Sequence, residues 1–210
     1  MDVIKNMKIH QIDKIFCINL NCRFDRKQRC EEIFKKYDLR AEFFPAIDGK
    51  NLNIKTKIKS GHVGCCLSHR EIYRKFSNSN WNNILILEDD VEFVEDFVDL
   101  FDLYYREVPN DWHLLYFGGN HNNTTKNMIS DHIHKLHNTY TTHCYLLNRK
   151  AIPFLLTEFD DCNIYTQEVD VHLSNIQKRI SCYGFIPHLA WQRASFSDIE
   201  EGYRDYKILK

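Results

Sequence analysis

The sequence has no strong excess of charge of either sign and no long apolar run. Its 28 lysine and arginine residues nearly balance 29 aspartate and glutamate residues, for a formal net charge of −1. A dedicated nucleic-acid binder would carry a strongly basic field, so that class is disfavoured. No apolar segment approaches the roughly 20 residues that cross a bilayer. The chain starts polar, without the apolar core of a signal peptide, and we expect a cytoplasmic protein.

Cysteine is abundant, but the spacing typical of metal-binding or redox cysteines is missing. The eight cysteines include no C-x-x-C pair, so neither a zinc ribbon nor a thioredoxin-like motif is indicated. Cys65 and Cys66 are adjacent, and we interpret them as helix-packing residues because no activating base is evident. We expect mostly reduced thiols, which fits a cytosolic location.

Histidines are concentrated between residues 120 and 137, where the polar stretch "NHNNTTKNMISDHIHKLH" predicts a loop. They have no fixed spacing with cysteine or glutamate, as a zinc site would require. We therefore interpret them as solvated loop residues: His121, His132, His134 and His137.

The chain is long enough, and at 43% hydrophobic residues apolar enough, to bury one sizeable core. We expect a single domain over residues 1–210. Short apolar runs alternate with segments of helical periodicity, which predicts an α/β fold with a mostly parallel, mixed sheet. The strand candidates are "KIFCINL", "AEFFPAIDGK", "NNILILE", "WHLLYFGG" and "TYTTHCYLLNR", with "SCYGFIPHLAWQ" as a late strand pair.

One apolar strand candidate, residues 84–87, runs directly into the carboxylates of Glu88, Asp89 and Asp90. Two carboxylates about 4 Å apart repel by very roughly 4 kcal/mol at an effective dielectric near 20. Strand alternation predicts Glu88 and Asp90 on one side and Asp89 on the other. Ligands bind beyond the carboxyl ends of parallel strands, and carboxylates are hard ligands for Mg²⁺ or Mn²⁺. A cation that carries a phosphate-containing substrate is indicated.

The alternative interpretation of this trio is an acidic first turn of a helix, which the helix dipole favours. Glu92, Glu95 and Asp96 fit that description well. We favour the ligand-binding interpretation for the trio itself, because so apolar a strand delivers it to the edge where ligands bind.

Five motifs occur in order: "INLNCRFDR", "FFPAIDGK", "GHVGCCLSH", "ILEDDVEF" and "THCYLLNRKAI". In this order the sequence resembles glycosyltransferase family 25, which contains lipooligosaccharide galactosyltransferases and collagen hydroxylysine galactosyltransferases. The resemblance extends from Ile18 to about Tyr203. It implies a GT-A-like, Rossmann-type domain, a UDP-sugar donor (UDP-galactose or UDP-glucose), Mn²⁺ or Mg²⁺, and inversion at the anomeric carbon.

The resemblance also implies roles for individual residues. Asp90 would ligate the metal, with Glu88 and His188 as further ligands, although a lone histidine such as His188 is more often a surface or hydrogen-bonded residue. Ser197 and Asp198 would contact the diphosphate or close over the donor, or instead cap a helix that begins at Ile199. The donor-binding residues implied are Asn19, Leu20, Arg23, Ala46, Asp48, Ser68, His69, Glu88, Asp89, Ser197 and Asp198.

An inverting transfer also needs a base for the acceptor hydroxyl. Asp170 matches the late acidic position of the family, and Glu168 is the second candidate. His62 stands where the family usually has glutamate, so no polar role is carried over to it. We expect a hexosyltransferase that acts on a glycan or a collagen-like hydroxylysine. The alternative is a catalytically silent relative that binds a nucleotide-sugar or a glycan.

Overall fold

The computed structural model describes residues 7–121 and 127–205. Their helices are α1 (Phe24–Lys36), α2 (Ser60–Ser77), α3 (Phe97–Tyr104), α4 (Ile152–Glu158) and α5 (Val169–Ile176). Their strands are β1 (Lys14–Asn19), β2 (Ala41–Pro45), β3 (Asn83–Glu88), β4 (Val91–Phe93), β5 (Leu114–Tyr116), β6 (Asn120–His121), β7 (Ile133–Leu136), β8 (Thr139–Tyr140), β9 (Cys144–Asn148), β10 (Cys182–Phe185), β11 (Ala190–Gln192), β12 (Ser195–Ser197) and β13 (Gly202–Arg204). Single 3₁₀ turns lie at Ile9–Gln11, Gly49–Asn51, Tyr105–Glu107 and Arg149–Ala151.

The centre of the fold is a seven-stranded sheet in the order β2-β1-β3-β9-β5-β10-β7. Strands β1, β2, β3, β5 and β10 run in one direction, while β7 and β9 run against their neighbours. This is the α/β arrangement with a mostly parallel, mixed sheet that the sequence predicts.

Helices cover both faces of this sheet, which explains why central strands such as β1 and β3 are continuous apolar runs. Helices α1 and α3 pack on one face in a core that includes Cys17, Leu87 and Phe117. Helices α2, α4 and α5 pack on the other face, in a core that includes Phe16 and Ile86. Alternate residues of one strand therefore enter opposite cores, as the period of two requires.

Three expectations about local structure are wrong. The two late strands are present as β10 and β11 but do not pair with each other, because β10 joins the main sheet whereas β11 pairs with β4. The stretch predicted as a loop contains β6 and β7, and β7 adds an edge strand beside β10. No helix begins at Ile199 in the described chain, where a turn joins β12 to β13 instead. Residues 122–126 of the same stretch lie outside the described residues.

The length and apolar character that a membrane crossing requires are found in none of the helices described above.

Candidate active site

A cavity of about 230 Å³ opens at the carboxyl ends of β1, β2 and β3. Parallel strands deliver their following residues to one edge, so segments far apart in sequence meet there. Residues singled out from the sequence that line it are Leu20, Ala46, Asp48, Ser68, Glu88, Asp89, Asp90, Ser197 and Asp198. The described lining does not include Asn19, Arg23, His69, Glu168, Asp170 or His188.

Asp89 is held on both carboxylate oxygens by neighbouring elements. Asn19 Nδ2 donates to its Oδ2 over 2.7 Å, and Arg26 Nη1 donates to its Oδ1 over 2.5 Å. Arg26 Nη1 also lies 3.6 Å from Asp90 Oδ2. Strand β3 ends at Glu88, so Asp89 and Asp90 lie in a turn and both face Arg26. The predicted alternation of the trio is therefore wrong beyond Glu88.

Asp90 is buried, with 7% of its surface exposed, and the polar contacts of its carboxylate are long. Gln192 Nε2 lies 3.5 Å from Oδ1, at the limit of a hydrogen bond. Burial, and next the carboxylate of Glu88, raise the pKa of Asp90 to about 7, while Arg26 opposes the rise. A buried carboxylate with so little neutralisation, on the wall of a cavity, fits a site for a divalent cation.

Glu88 is held from the side of β9, because that strand runs antiparallel to β3 and begins at the same edge. Thr142 Oγ1 donates to Glu88 Oε1 over 2.5 Å, and the amide of Glu88 donates to the carbonyl of His143 over 3.0 Å. Thr142 follows Thr141, whose φ of 75° is unusual for a β-branched residue. The backbone at Thr141 thus turns sharply and presents the next hydroxyl to Glu88.

The loop after β2 and the start of α2 meet closely at the cavity wall. Ser68 Oγ accepts from the amide of Ile47 over 2.8 Å and donates to the Gly64 carbonyl over 2.7 Å. A Cβ on Gly64 would lie 2.3 Å from the carbonyl oxygen of Ile47, so only glycine allows this approach. Asp48 caps the turn at Gly49–Asn51 by accepting from the amide of Lys50 over 2.9 Å. Small residues at this end of α2 therefore shape the cavity.

The segment containing β12 and β13, residues 195–204, borders the cavity and is tied to α1 and α2. Arg23 pairs with Asp198, and Arg26 Nη2 donates to the carbonyl of Phe196 over 2.8 Å. Glu200 accepts from Lys59 Nζ over 2.7 Å and lies 2.9 Å from His62 Nε2. Ion pairs thus fasten this segment beside the cavity.

Within that segment, Ser197 ends β12 and Asp198 begins the turn between β12 and β13. Ser197 Oγ accepts from the amide of Glu200 over 3.1 Å, which is a cap for the turn. The alternative that they cap a helix is wrong. Their side chains line the cavity, as the donor-binding interpretation requires.

The two candidate bases lie near one another on and before α5. Asp170 is in the first turn of α5, where its Oδ2 accepts from the amide of Thr141 over 3.2 Å. Glu168 Oε1 lies 3.4 Å from His62 Nε2. Asp170 therefore supports the turn that positions Thr142.

His188 is half-buried against the ring of His121, with ring centroids 4.9 Å apart. His121 is not a solvated loop residue as predicted: its Nδ1 lies 2.9 Å from Thr139 Oγ1. Burial, then the rings of His188 and His143, lower the pKa of His121 to about 3. His132 also packs, with its ring stacked on Tyr104 at 3.8 Å between centroids.

Four features of the site were not predicted from the sequence: Arg26, Thr142, Gln192 and the polar role of His62. Arg26 carries a detectable signal, because it precedes Cys30 and Ile33 by four and seven residues on the apolar stripe of α1. An arginine on the buried side of a helix needs a negatively charged partner nearby. Thr142 and Gln192 have no such signal, since their role depends on contacts across the sheet.

The fold and the site define an α/β domain with a cavity lined by carboxylates at the carboxyl edge of its sheet. The family model described as "Glycosyltransferase family 25 (LPS biosynthesis protein)" matches residues 12–173. The chain belongs to glycosyltransferase family 25.

Similar curated proteins are much longer than this chain. A "Glycosyltransferase 25 family member" of Drosophila pseudoobscura pseudoobscura is 32% identical over 136 residues, which cover 51% of this chain and 20% of the relative. "Procollagen lysyl hydroxylase and glycosyltransferase" of Acanthamoeba polyphaga mimivirus is 28% identical over 222 residues, covering 85% and 24%. Human "Procollagen galactosyltransferase 2" is 28% identical over 130 residues, covering 50% and 20%. The chain spans less than a quarter of each.

Two solved structures show distant likeness. A197 from STIV gives a TM-score of 0.49 at 10% identity, covering 92% of this chain and 95% of that one. A Drosophila β1,4-galactosyltransferase 7 mutant, crystallised with manganese, UDP-Gal and xylobiose, gives a TM-score of 0.40 at 8% identity, covering 92% and 70%.

Proposed function

We propose that this chain is a metal-dependent glycosyltransferase domain that moves a hexose, galactose or glucose, from a UDP-sugar to a hydroxyl group with inversion. The acceptor proposed is a glycan or a collagen-like hydroxylysine. The observation that supports this most directly is the presence of Glu88 and Asp90 on one cavity at the carboxyl edge of the sheet. Family membership supplies the reaction class, and the names of relatives such as the procollagen galactosyltransferases suggest the acceptor.

Asp90 and Glu88 are the residues we propose to hold Mn²⁺ or Mg²⁺. Both line the cavity, and Asp90 is a buried carboxylate with long contacts only. A bound ion of this kind would neutralise the negative charge that develops on the departing diphosphate. His188 stays a predicted third ligand, although its ring packs against His121 and it is not part of the described lining.

The donor is proposed to lie along the ends of β1 and β2. Leu20, Ala46 and Asp48 would face the nucleoside, with Ser68 holding the backbone at Ile47 in place. Arg23 and Asn19 do not line the cavity. They would position two residues that do, because Arg23 donates to Asp198 and Asn19 donates to Asp89. His69 acts from behind Glu88 rather than on the donor, because it is fully buried.

Asp170 is the proposed base for the acceptor hydroxyl, with Glu168 as the second candidate. A base must come within about 3 Å of the proton it removes, directly or through one water. Asp170 sits at Thr141, next to the residue that holds Glu88, so an acceptor would approach from the α5 side. Asp89 is proposed to organise the site rather than to touch the donor, since both its oxygens are occupied.

The proposal is tested by incubating the chain with UDP-galactose, UDP-glucose and other UDP-sugars, Mn²⁺, and hydroxylysine-containing peptides or glycans. Release of UDP that depends on acceptor and on Mn²⁺ is expected. Asp90→Ala should abolish Mn²⁺-dependent donor binding in calorimetry, whereas Asp96→Ala, an exposed carboxylate at the start of α3, should not. Donor binding without UDP release would favour the silent relative, and unchanged donor affinity in Asp90→Ala would move the metal elsewhere.

A further inference from the structure

Cys65, His69 and Glu88 form a cluster beside the acidic turn. Cys65 and His69 are four residues apart on α2 and so project from the same side of the helix. Glu88 ends the strand that α2 covers. One ligand atom from each of the three lies within 4.8 Å of the other two. Over residues 7–121 and 127–205, this is the one such cluster of histidine, cysteine and carboxylate side chains.

The orientation of His69 is fixed by a buried hydrogen-bond chain. His69 is 0% exposed, and its Nδ1 lies 2.8 Å from the hydroxyl of Tyr145. That hydroxyl lies 2.7 Å from the hydroxyl of Tyr73. The tautomer that suits a metal ligand has Nδ1–H donating to Tyr145 and Tyr145 donating to Tyr73. The lone pair of Nε2 then points toward Glu88.

Nε2 of His69 is buried and has no hydrogen-bond partner among the described residues. Its distance to Glu88 Oε1 is 3.6 Å, too long for a hydrogen bond. Buried polar atoms without a partner are rare in folded proteins and call for an explanation. Two ligand atoms bound tetrahedrally to one zinc ion, at about 2.0 Å each, lie roughly 3.3 Å apart. The observed separation is close to that value.

The surroundings resemble those of known metal ligands. A metal-binding histidine usually has its other ring nitrogen held by a hydrogen bond, and a metal-binding carboxylate is usually held as well. Tyr145 holds His69 in this way, and Thr142 Oγ1 holds Glu88 over 2.5 Å. The carboxylate and the imidazole are therefore oriented before any ion arrives.

Thiolate, imidazole and carboxylate together favour a borderline or soft divalent ion over Mg²⁺ or Mn²⁺. We propose that Cys65, His69 and Glu88 bind a Zn²⁺-class cation in the wall of the cavity, separately from the hard-cation site at Asp90. Cys65 and Glu88 both line the cavity, so the fourth coordination position faces it. Because both sites need Glu88, occupancy of one weakens the other.

The test uses Co²⁺ as a spectroscopic substitute for Zn²⁺ and needs no sugar donor, so its outcome is independent of the proposed transferase activity. The background variant is Cys22→Ser with Cys162→Ser, which removes the exposed thiols. Co²⁺ is expected to bind with one equivalent, to give a thiolate-to-cobalt charge-transfer band in the near ultraviolet, and to be displaced by Zn²⁺.

The matched pair of variants is Cys65→Ser and Cys66→Ser in that background. Cys66 is adjacent, but its Sγ donates to the carbonyl of Gln167, away from the cluster. Cys65→Ser should lose the band and bind Zn²⁺ more than about a hundredfold more weakly, whereas Cys66→Ser should keep both. Near-ultraviolet circular dichroism checks the fold of each variant.

His69→Gln should also weaken Zn²⁺ binding. If His69→Gln does not fold, the cysteine pair still decides the question. A folded background protein without a thiolate band at saturating Co²⁺ would overturn the proposal. So would a band that persists in Cys65→Ser with unchanged affinity.

Discussion

Arg26 Nη1 lies 2.5 Å from Asp89 Oδ1 and joins the first turns of α1 to the end of β3. Both side chains are largely buried, and the same guanidinium reaches Ser195 Oγ over 2.9 Å. One arginine thus connects the acidic turn, the first helix and the segment of residues 195–204. The positive charge of Arg26 therefore offsets part of the repulsion among the carboxylates of Glu88, Asp89 and Asp90.

Arg26→Met should destabilise the protein by about 3–5 kcal/mol, because it leaves buried carboxylates without their cation. Urea unfolding measures this change. Arg29→Gln on the same helix is the matched control, since Arg29 pairs with Glu92 at the surface and should cost less than about 1 kcal/mol. Equal losses in the two variants would contradict the assigned role of Arg26.

Gly64→Ala should destabilise the protein by about 1–3 kcal/mol, because the new Cβ would overlap the carbonyl of Ile47. It should also weaken donor binding by displacing the loop after β2. Gly202→Ala is the control, as its nearest neighbour, the carbonyl oxygen of Glu200, is 4.0 Å from the added atom. Thermal unfolding and donor titration separate the two effects. A Gly64→Ala protein as stable as the control would be inconsistent with the tight approach.

Asp170→Asn should keep donor affinity and reduce sugar transfer at least about a hundredfold, because asparagine cannot take a proton. The amide oxygen can still accept from Thr141, so the free energy of unfolding should change little. Glu168→Gln, before the same helix, is the comparison. Sugar transfer at the wild-type rate in Asp170→Asn would exclude Asp170 as the base. Its remaining role would be to hold the backbone at Thr141.

Acid should release residues 195–204 from α2. The hydrogen bond from Lys59, and then that from His62, lower the pKa of Glu200 below its ordinary value. Its stabilising contribution is therefore present above the unfolded pKa, near 4.5, and is lost as the pH falls through the lower folded value. The rate of backbone amide hydrogen exchange in residues 195–204, corrected for the intrinsic rate, should therefore rise as the pH falls below about 4.5.

Glu200→Gln should show the same faster exchange at neutral pH. Glu201→Gln provides the control, because Glu201 pairs with Lys50 where both side chains are exposed. Protection of residues 195–204 that is equal in both variants at every pH would argue against this attachment.

Strands with two buried faces were predictable from sequence, because β1 and β3 are continuous apolar runs that no exposed strand would carry. Helix α1 was predictable from its stripe of Cys30, Ile33 and Phe34. The pair β4–β11 was not, since each strand has three residues and their pairing joins segments about a hundred positions apart. Short strands lack the periodicity on which such a prediction depends.

The cavity wall was largely predictable because its residues lie in compact motifs at strand ends. The hydrogen bonds that hold these residues in place were not predictable, because they join segments that are distant in sequence. Asn19 and Asp89 are 70 positions apart, and Thr142 and Glu88 are 54 apart. The carboxylates were predictable from the sequence as metal ligands, whereas their partial neutralisation by Arg26 was not.

The reversed direction of β9 has a consequence for the order of folding. Strands β1, β2 and β3 can form from the first 90 residues and would already carry the acidic turn, but Thr142 reaches Glu88 only when β9 has inserted beside β3. Closing so long a loop is slow compared with local helix formation. A nascent chain should therefore display its carboxylates early and acquire the proposed nucleotide affinity late, so ligand capture would report the completion of the sheet.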